Sequence, residues 1–367
     1  MLNRASDNRN MHVPHFPSMC LFTTSLHPEP APGITPTHVH VRFGLDHTFN
    51  DPSKKLPDDE QVLQVPIQPD VSSLETSEYK LHQAVTRAYV MPAHMCKWFS
   101  DRFGFEVRLH YTGSNTRQVL GAINPNAPRV FVGDPDPKIA AAKQIAPNSS
   151  NSWINSIKSG AGNLVNTVAS YTGANMTGQV GVEEGLTFAD VASFLVVSRK
   201  SFEDVKERLG TEIDMDKFRP NIVVDGAEEA WEEDYWGEIA IKTHQQKETG
   251  ENNEMRVMFT SNCVRCASIN VDYGTGKMAE GPEGQLLKSM QAYRRVDPGH
   301  KYSPVFGRYG FVSMRNGVRP KEGFVISVGD EVEVTLRNER RTHFCEFLVS
   351  FSFSPLLDLM YRLLCRK

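Results

Sequence analysis

From Phe188 to Leu336 the apolar residues fall into short runs closed by Gly, Pro or Asp, and this spacing constrains the fold more than any other feature. "SFLVVS" is short, β-branched and continuously apolar, as a buried strand is. "SFEDVKERLG" follows as a helix, with Ser201 and Asp204 placed as a capping box and Gly210 as its stop. Pro220 in "FRPNIVVDG" forces Arg219 out of the right-handed helical region, so an extended entry into another strand is expected. "EGQLLKSMQAYRR" gives a short helix with Leu286, Leu287, Met290 and Tyr293 inward, and "GFVISVGDEVEVTLRN" gives two alternating strands across Gly329-Asp330. Many short strands with few helices predict an α+β, mostly β domain of barrel-like form over residues 187–343, not a parallel α/β sheet.

A chain of 367 residues has room for a second core upstream. Over residues 37–134 the signals mix α and β. His38, His40 and Arg42 alternate with Val39, Val41 and Phe43 as in a half-buried strand; the His-x-His spacing suits a metal, but a solvent-facing strand explains it as well. "PAHMCKWFSDRFG" sets Met95, Trp98, Phe99 and Phe103 on one helical face with Gly104 to end it. In "FEVRLHYTG", Phe105, Val107, Leu109 and Tyr111 are expected inward and Glu106, Arg108 and His110 outward.

Three segments look different. Residues 1–36 read as a flexible, proline-rich lead-in without the apolar core of a secretory signal. Residues 135–186 read as a Gly/Ser/Asn-rich insertion or linker in which Trp153, Ile157, Leu164 and Val168 recur at helical spacing opposite a nearly uncharged face. That face either docks on its own domain or makes 151–175 a candidate for peripheral membrane contact. Residues 344–367 form an apolar tail, with 344–365 a second such candidate; Glu346, Pro355, Asp358 and Arg362 interrupt it too often for a span.

A net charge of -4 and no long Lys/Arg run argue against nucleic acid as a partner. The six scattered cysteines suggest a reducing, intracellular compartment. Two of them, in "SNCVRCASINVDYGTG", form a C-x-x-C pair. A structural zinc needs a second such pair, which the chain lacks, and a thioredoxin-type site needs a helix after the first cysteine, whereas "CASINVDYGTG" reads as strand. One cysteine as a soft thiolate ligand, with Arg265 beside it for an anionic cofactor, remains open alongside a buried structural cysteine.

"DMDKFRPNIVVDG", "SNCVRCASINVDYGTG" and "LLKSMQAYRRVDPGHKYSPVFGRYG", in this order, closely resemble the molybdenum-cofactor sulfurase C-terminal (MOSC) domain family, most of all its mitochondrial amidoxime-reducing-component branch. The resemblance implies an N-terminal MOSC-type β-barrel domain, here incomplete, before a MOSC β-barrel domain with short helices. It places the metal-ligating, catalytic cysteine on Cys266, with molybdenum carried by a pyranopterin, the molybdenum cofactor. Arg219, Asn221, Arg265, Asp190 and Ser193 fall on cofactor-surrounding positions, and Asp272 is a supporting group behind them. The implied reaction is reduction of small N-hydroxylated substrates, such as amidoximes and hydroxylamines. Its electrons would come from a separate b-type cytochrome and its NADH-dependent flavoprotein reductase, in the mitochondrion or the cytosol.

The family's Lys-Ser pair for the cofactor phosphate has no counterpart in the first 60 residues; Lys158-Ser159 lies in the insertion. Two other readings therefore stand beside the oxidoreductase. One is a sulfur carrier with a persulfide on Cys266, serving sulfuration of the molybdenum cofactor. The other is a degenerate, non-catalytic MOSC protein.

Overall fold

The computed structural model describes residues 1–44 except 32, 62–119 except 83, 123–125, 131–140, 181–242 except 183 and 184, 254–314 and 325–343. Strands predominate over helices, as the short apolar runs require, and the sheets curl as half-barrels. The two stretches with membrane-contact candidates, 151–175 and 344–365, lie outside the described residues. Among the described residues no helix is long and apolar enough to cross a membrane.

The N-terminal part comprises β1 (Leu2–Arg4), β2 (Arg9–Asn10), β3 (Phe22–His27), β4 (His38–Phe43), β5 (Leu63–Pro66), β6 (Thr76–Leu81), β7 (Ala84–Val90), α1 (Ala93–Phe103) and β8 (Val107–Tyr111). They make two sheets, β2-β1-β8-β7-β6 and β3-β4-β5. Helix α1 joins them through Met95 and Phe99, which pack with Leu2, Met11, Val41, Leu63 and Val107 in one core. It ends where expected: Gly104 takes φ 77°, open to glycine, and its amide closes on Ser100 O.

Two expectations are corrected here. Residues 1–36 are no flexible lead-in, because β1 pairs with the central strand β8 and Leu2 and Met11 are buried beneath it. His110 is also buried, sharing a hydrogen bond with Ser77 Oγ at 3.1 Å, and burial pushes its pKa down to about 4. Strand β8 lies between β1 and β7, so alternation does not decide which of its side chains meets water.

The C-terminal part comprises β9 (Phe131–Pro135), β10 (Gly181–Val182), β11 (Phe194–Ser198), α2 (Arg199–Leu209), β12 (Ile222–Val224), β13 (Trp236–Lys242), β14 (Glu254–Val264), β15 (Val271–Asp272), β16 (Lys277–Met278), α3 (Leu286–Gln291), β17 (Val305–Met314), β18 (Glu331–Arg337) and β19 (Arg340–Thr342). Its main sheet runs β12-β11-β17-β14-β13-β18, with β10 added on β17. Among the described residues only β11 and β12 pair in parallel, joined by α2 as a crossover. Strand β14 is buried along nearly its whole length because both faces are covered. Cys263 meets Phe218, Leu286 and Phe306 on one side, and Met255, Val257 and Phe259 meet Trp236 and Ile239 on the other.

Where these strands meet, glycine is needed at two points. A Cβ on Gly237 would stand 2.7 Å from Leu336 Cγ at a register break between β13 and β18. Gly307, at φ 85°, lies in the bulge where Phe306 and Gly307 oppose Cys263 alone, and a Cβ there would press on Val197 at 2.7 Å.

Further expectations fail locally. The N-cap of α2 is Ser198, so Ser201 is no capping box: it lies buried inside the helix, donating to Glu233 at 2.7 Å and accepting from Trp231 N. Arg219 does leave the right-handed region, but into left-handed backbone at φ 51°, because it closes the 3-10 turn Met215–Phe218. "CASINVD" is a 3-10 turn over Ala267–Asn270 before the two-residue β15, not a continuous strand. Residues 325–330 form no strand; only the second half of the expected hairpin, β18, is one. Strand β9 spans the boundary expected at 134/135 and pairs with β19, pinned by Arg341 to Asp134 and Arg337 to Asp136, each at 2.8 Å.

Candidate functional site

Cys263 and Arg265 project from the end of β14 toward the core, whereas Cys266, at the start of the following turn, is exposed. Arg265 is only 6% exposed. Its Nη1 donates to Cys263 Sγ at 2.8 Å and its Nη2 to Phe218 O at 2.7 Å, while its own amide is held by Pro304 O. Burial opposes this charge, but the Cys263, Tyr309 and Cys266 side chains outweigh it and raise the Arg265 pKa. Among the described residues no carboxylate forms an ion pair with Arg265. Burial, with Cys263 and Asp190 nearby, pushes the Tyr309 phenol well up. Cys266 Sγ contacts Ser268 Oγ at 3.3 Å.

The remaining expected residues form the surroundings. Arg219 is exposed at the rim, and among the described residues no hydrogen bond or ion pair engages its guanidinium. Asn221 ties the loop to β11: its Oδ1 accepts from Leu195 N at 2.8 Å and its amide donates to Leu195 O. Asp272 builds the turn after β15, accepting from Gly274 N and Thr275 Oγ1. Partial burial would raise its pKa, yet these hydrogen bonds and the Lys217 charge lower it. Asp190 reaches across to the N-terminal part, 2.6 Å from His82 Nε2. Burial would raise the Asp190 pKa, but His82, Arg219 and His12 lower it on balance. Ser193 is half-buried, one residue before β11.

Several contributors carried no sequence signal. Lys217, 4% exposed, donates to Val271 O, pairs with Glu283 and stands over the Tyr273 ring. Leu21, from the turn Pro17–Leu21, covers Gly276, and Cys20 of the same turn lies near Arg219, Lys217 and Tyr273. Buried Arg117 donates to the carbonyls of Thr187, Ala189 and Asp190, fixing the strap that leads to Asp190 and Ser193. A cavity of about 510 Å³, lined by Leu74, Met91, Cys96 and Val107, lies elsewhere, in the N-terminal part. Among the described residues no three His, Cys, Asp or Glu side chains gather to hold a metal.

Residues 183–333 match the family described as "MOSC domain", the stretch that contains Cys266 and every expected site residue. Over these residues the chain is similar to the MOSC domain family. Among curated relatives, human "Mitochondrial amidoxime-reducing component 1" is 32% identical over 154 residues, 41% of this chain and 39% of that protein. Rat "Mitochondrial amidoxime reducing component 2" is 33% identical over 138 residues, 36% of each. "Molybdenum cofactor sulfurase" of Arabidopsis thaliana is 30% identical over 163 residues, 41% of this chain and 17% of that protein. The match to the first two relatives thus spans well under half of their length.

Proposed function

We propose that the MOSC domain binds a molybdenum pyranopterin through Cys266 and reduces small N-hydroxylated substrates. The carrying observation is an exposed cysteine backed by a buried guanidinium that no described carboxylate pairs with. A buried cation without a counter-ion is costly, and an anionic group at Cys266 would supply one. The absence of a second protein ligand among the described residues suits a metal whose remaining ligands come with its cofactor. The relatives named as amidoxime-reducing components support the direction of the chemistry.

In this reading Cys266 ligates the metal, and Cys263 and the Phe218 carbonyl hold Arg265 beneath it. Asn221 fixes the neighbouring loop to β11 and Asp272 fixes the turn beyond, so both position rather than react. Arg219, Asp190 and Ser193 line the approach. The bound cofactor supplies two-electron chemistry, so the overall change is R–NHOH plus two electrons and two protons giving R–NH2 and water. The electrons come from a separate b-type cytochrome and its NADH-dependent flavoprotein reductase. No dinucleotide-binding glycine motif follows a strand in the chain. The setting is intracellular, the mitochondrion or the cytosol.

The test is molybdenum per chain in protein from a cofactor-competent host, followed by conversion of benzamidoxime to benzamidine. Near-stoichiometric metal that is lost in Cys266→Ser supports the proposal; wild-type protein without metal sinks it. The similarity to a molybdenum cofactor sulfurase and the exposure of Cys266 favour a second reading, a persulfide carrier. Mass spectrometry would find one added sulfur on Cys266 in metal-free protein if that reading holds.

A further inference from the structure

The outward face of the sheet β3-β4-β5 carries chemistry that the Cys266 site does not use. In its register His27 stands opposite His38, while His40 stands between Ser25 on one neighbour and Gln64 on the other. Val39, Val41, Leu63 and Val65 turn into the core, so the alternate residues of these strands share the opposite face. That face sets His27, His38 and His40 beside Ser25, Arg42 and Gln64, and no residue that the three strands place on it is acidic.

Two details go beyond a solvated strand. The first is an orphan: His40 Nε2 is sheltered from water and has no hydrogen-bond partner among the described residues. A buried ring nitrogen left alone is costly, and a bound ion is one of the few things that satisfies it. The second is a fixed tautomer. Thr37 donates twice to His27 O, through its amide at 2.9 Å and its hydroxyl at 3.5 Å. A hydroxyl has one proton, so the Thr37 oxygen accepts from His38 Nδ1, 2.9 Å away, and His38 Nε2 keeps its lone pair. A hydrogen bond on one ring nitrogen that aims the other is how metal-bound imidazoles are held.

We propose that His27, His38 and His40 form a site for a borderline divalent cation of the zinc class, with a fourth position open to water. Residues two apart on a strand and those facing them across the ladder lie about 5–8 Å from one another. Three imidazoles can bridge that spacing with metal–nitrogen bonds of about 2 Å. As they stand the rings do not close on one point, because His27 lies flat on His40 with centroids 4.3 Å apart and planes at 15°. His27 is exposed at the end of β3, so its ring can turn off His40 toward the ion. Nitrogen ligands with no carboxylate, next to the Arg42 guanidinium, select against magnesium and calcium. Binding here is independent of the Cys266 reading.

Zinc alone is the probe, titrated by isothermal calorimetry into the full chain carrying Cys266→Ser, so that the exposed thiolate does not compete. One equivalent should bind. Cobalt(II) in its place should show no thiolate charge-transfer band, which excludes the other cysteines. Losing a group that supports a ligand costs about 10–100-fold in metal affinity, so Thr37→Val should weaken zinc by that much and His27→Ala, His38→Ala or His40→Ala by at least as much. His94→Ala, at an exposed histidine of α1, should change nothing. Thr37 and His27 are exposed, so their variants stay folded and carry the test should His40→Ala fail to fold.

No zinc binding in the Cys266→Ser chain overturns the proposal, and so does binding that survives His27→Ala and His38→Ala unchanged. A thiolate band with cobalt also overturns it, by placing the ion on cysteine.

Discussion

Glu233→Gln should stabilise this protein in alkali and hardly at all in acid. Glu233 is completely buried; its Oε2 accepts from Ser201 Oγ at 2.7 Å, and its Oε1 has no hydrogen-bond partner among the described residues. Burial, and then the neighbouring Asp234 charge, push its pKa from the ordinary 4.5 to about 7, against the pull of Ser201 and Arg294. A carboxyl raised in the folded state keeps its proton where the unfolded chain has lost it. Its penalty is absent below about pH 4.5, grows between there and about pH 7, and is constant above. A rise of this size corresponds to about 3 kcal/mol, of which about 2.5 kcal/mol develops between pH 5 and pH 8. Glutamine keeps the shape and removes the charge. Urea denaturation of both proteins at pH 5 and pH 8 isolates that term, because other titrations cancel in the difference. The same stability gap at both pH values would refute the reasoning.

Asp234, 1% exposed, accepts from Arg294 at 2.7 Å and from Arg341 at 2.9 Å, so Asp234→Asn should cost about 3 kcal/mol or more by leaving two guanidinium groups short of their counter-ion. Urea midpoints check it, and a cost below about 1 kcal/mol would contradict it. Gly237→Ala should cost about 1–3 kcal/mol through the clash with Leu336 and Asn338, read as a lower melting temperature. Cys266→Ser should leave stability within about 0.5 kcal/mol, as its side chain is exposed, and should abolish metal retention. Cys263→Ala should lose about 1–3 kcal/mol by taking an acceptor from buried Arg265, measured as a shift in the urea midpoint.

The sequence made the elements legible where one physical signal dominated. Helix α1 and its Gly104 stop, strand β11, helix α2 with Gly210 and the short α3 all follow from apolar spacing and glycine at a left-handed cap. It was silent where long-range contacts decide. Nothing local in "MLNR" says that Leu2 will pair with Leu109, and nothing in Ser201 says that it will bond a carboxyl 32 residues away. The same holds for the site. Cys266 and Arg265 were visible in a motif, but Arg117 and His82 reach Asp190 or its strap from segments 70 to 108 residues distant, with no spacing rule to announce them. The backbone of Arg219 leaves the right-handed region as expected but is not extended, since Pro220 only excludes a conformation and the closing turn selects the left-handed one.

The C-x-x-C pair turns on parity. Residues three apart lie on one face of a helix, where two cysteines can close a disulfide or share a metal, but an odd spacing on extended chain sends them to opposite faces. Here Cys263 and Val264 close β14, and Cys266 is extended before the 3-10 turn begins at Ala267. Cys263 and Arg265, two apart, therefore meet inside at 2.8 Å, and Cys266 is delivered outside. The bulge at Phe306 and Gly307 opposite Cys263 shifts the partner strand by one residue at this point, so Val264 pairs with Val305 and the chain leaves the sheet. A redox cycle would require Cys263 to break its bond to Arg265 and turn through the strand. The geometry instead divides the labour: one sulfur fixes a buried guanidinium, that guanidinium stands behind the loop, and the other sulfur faces whatever binds there.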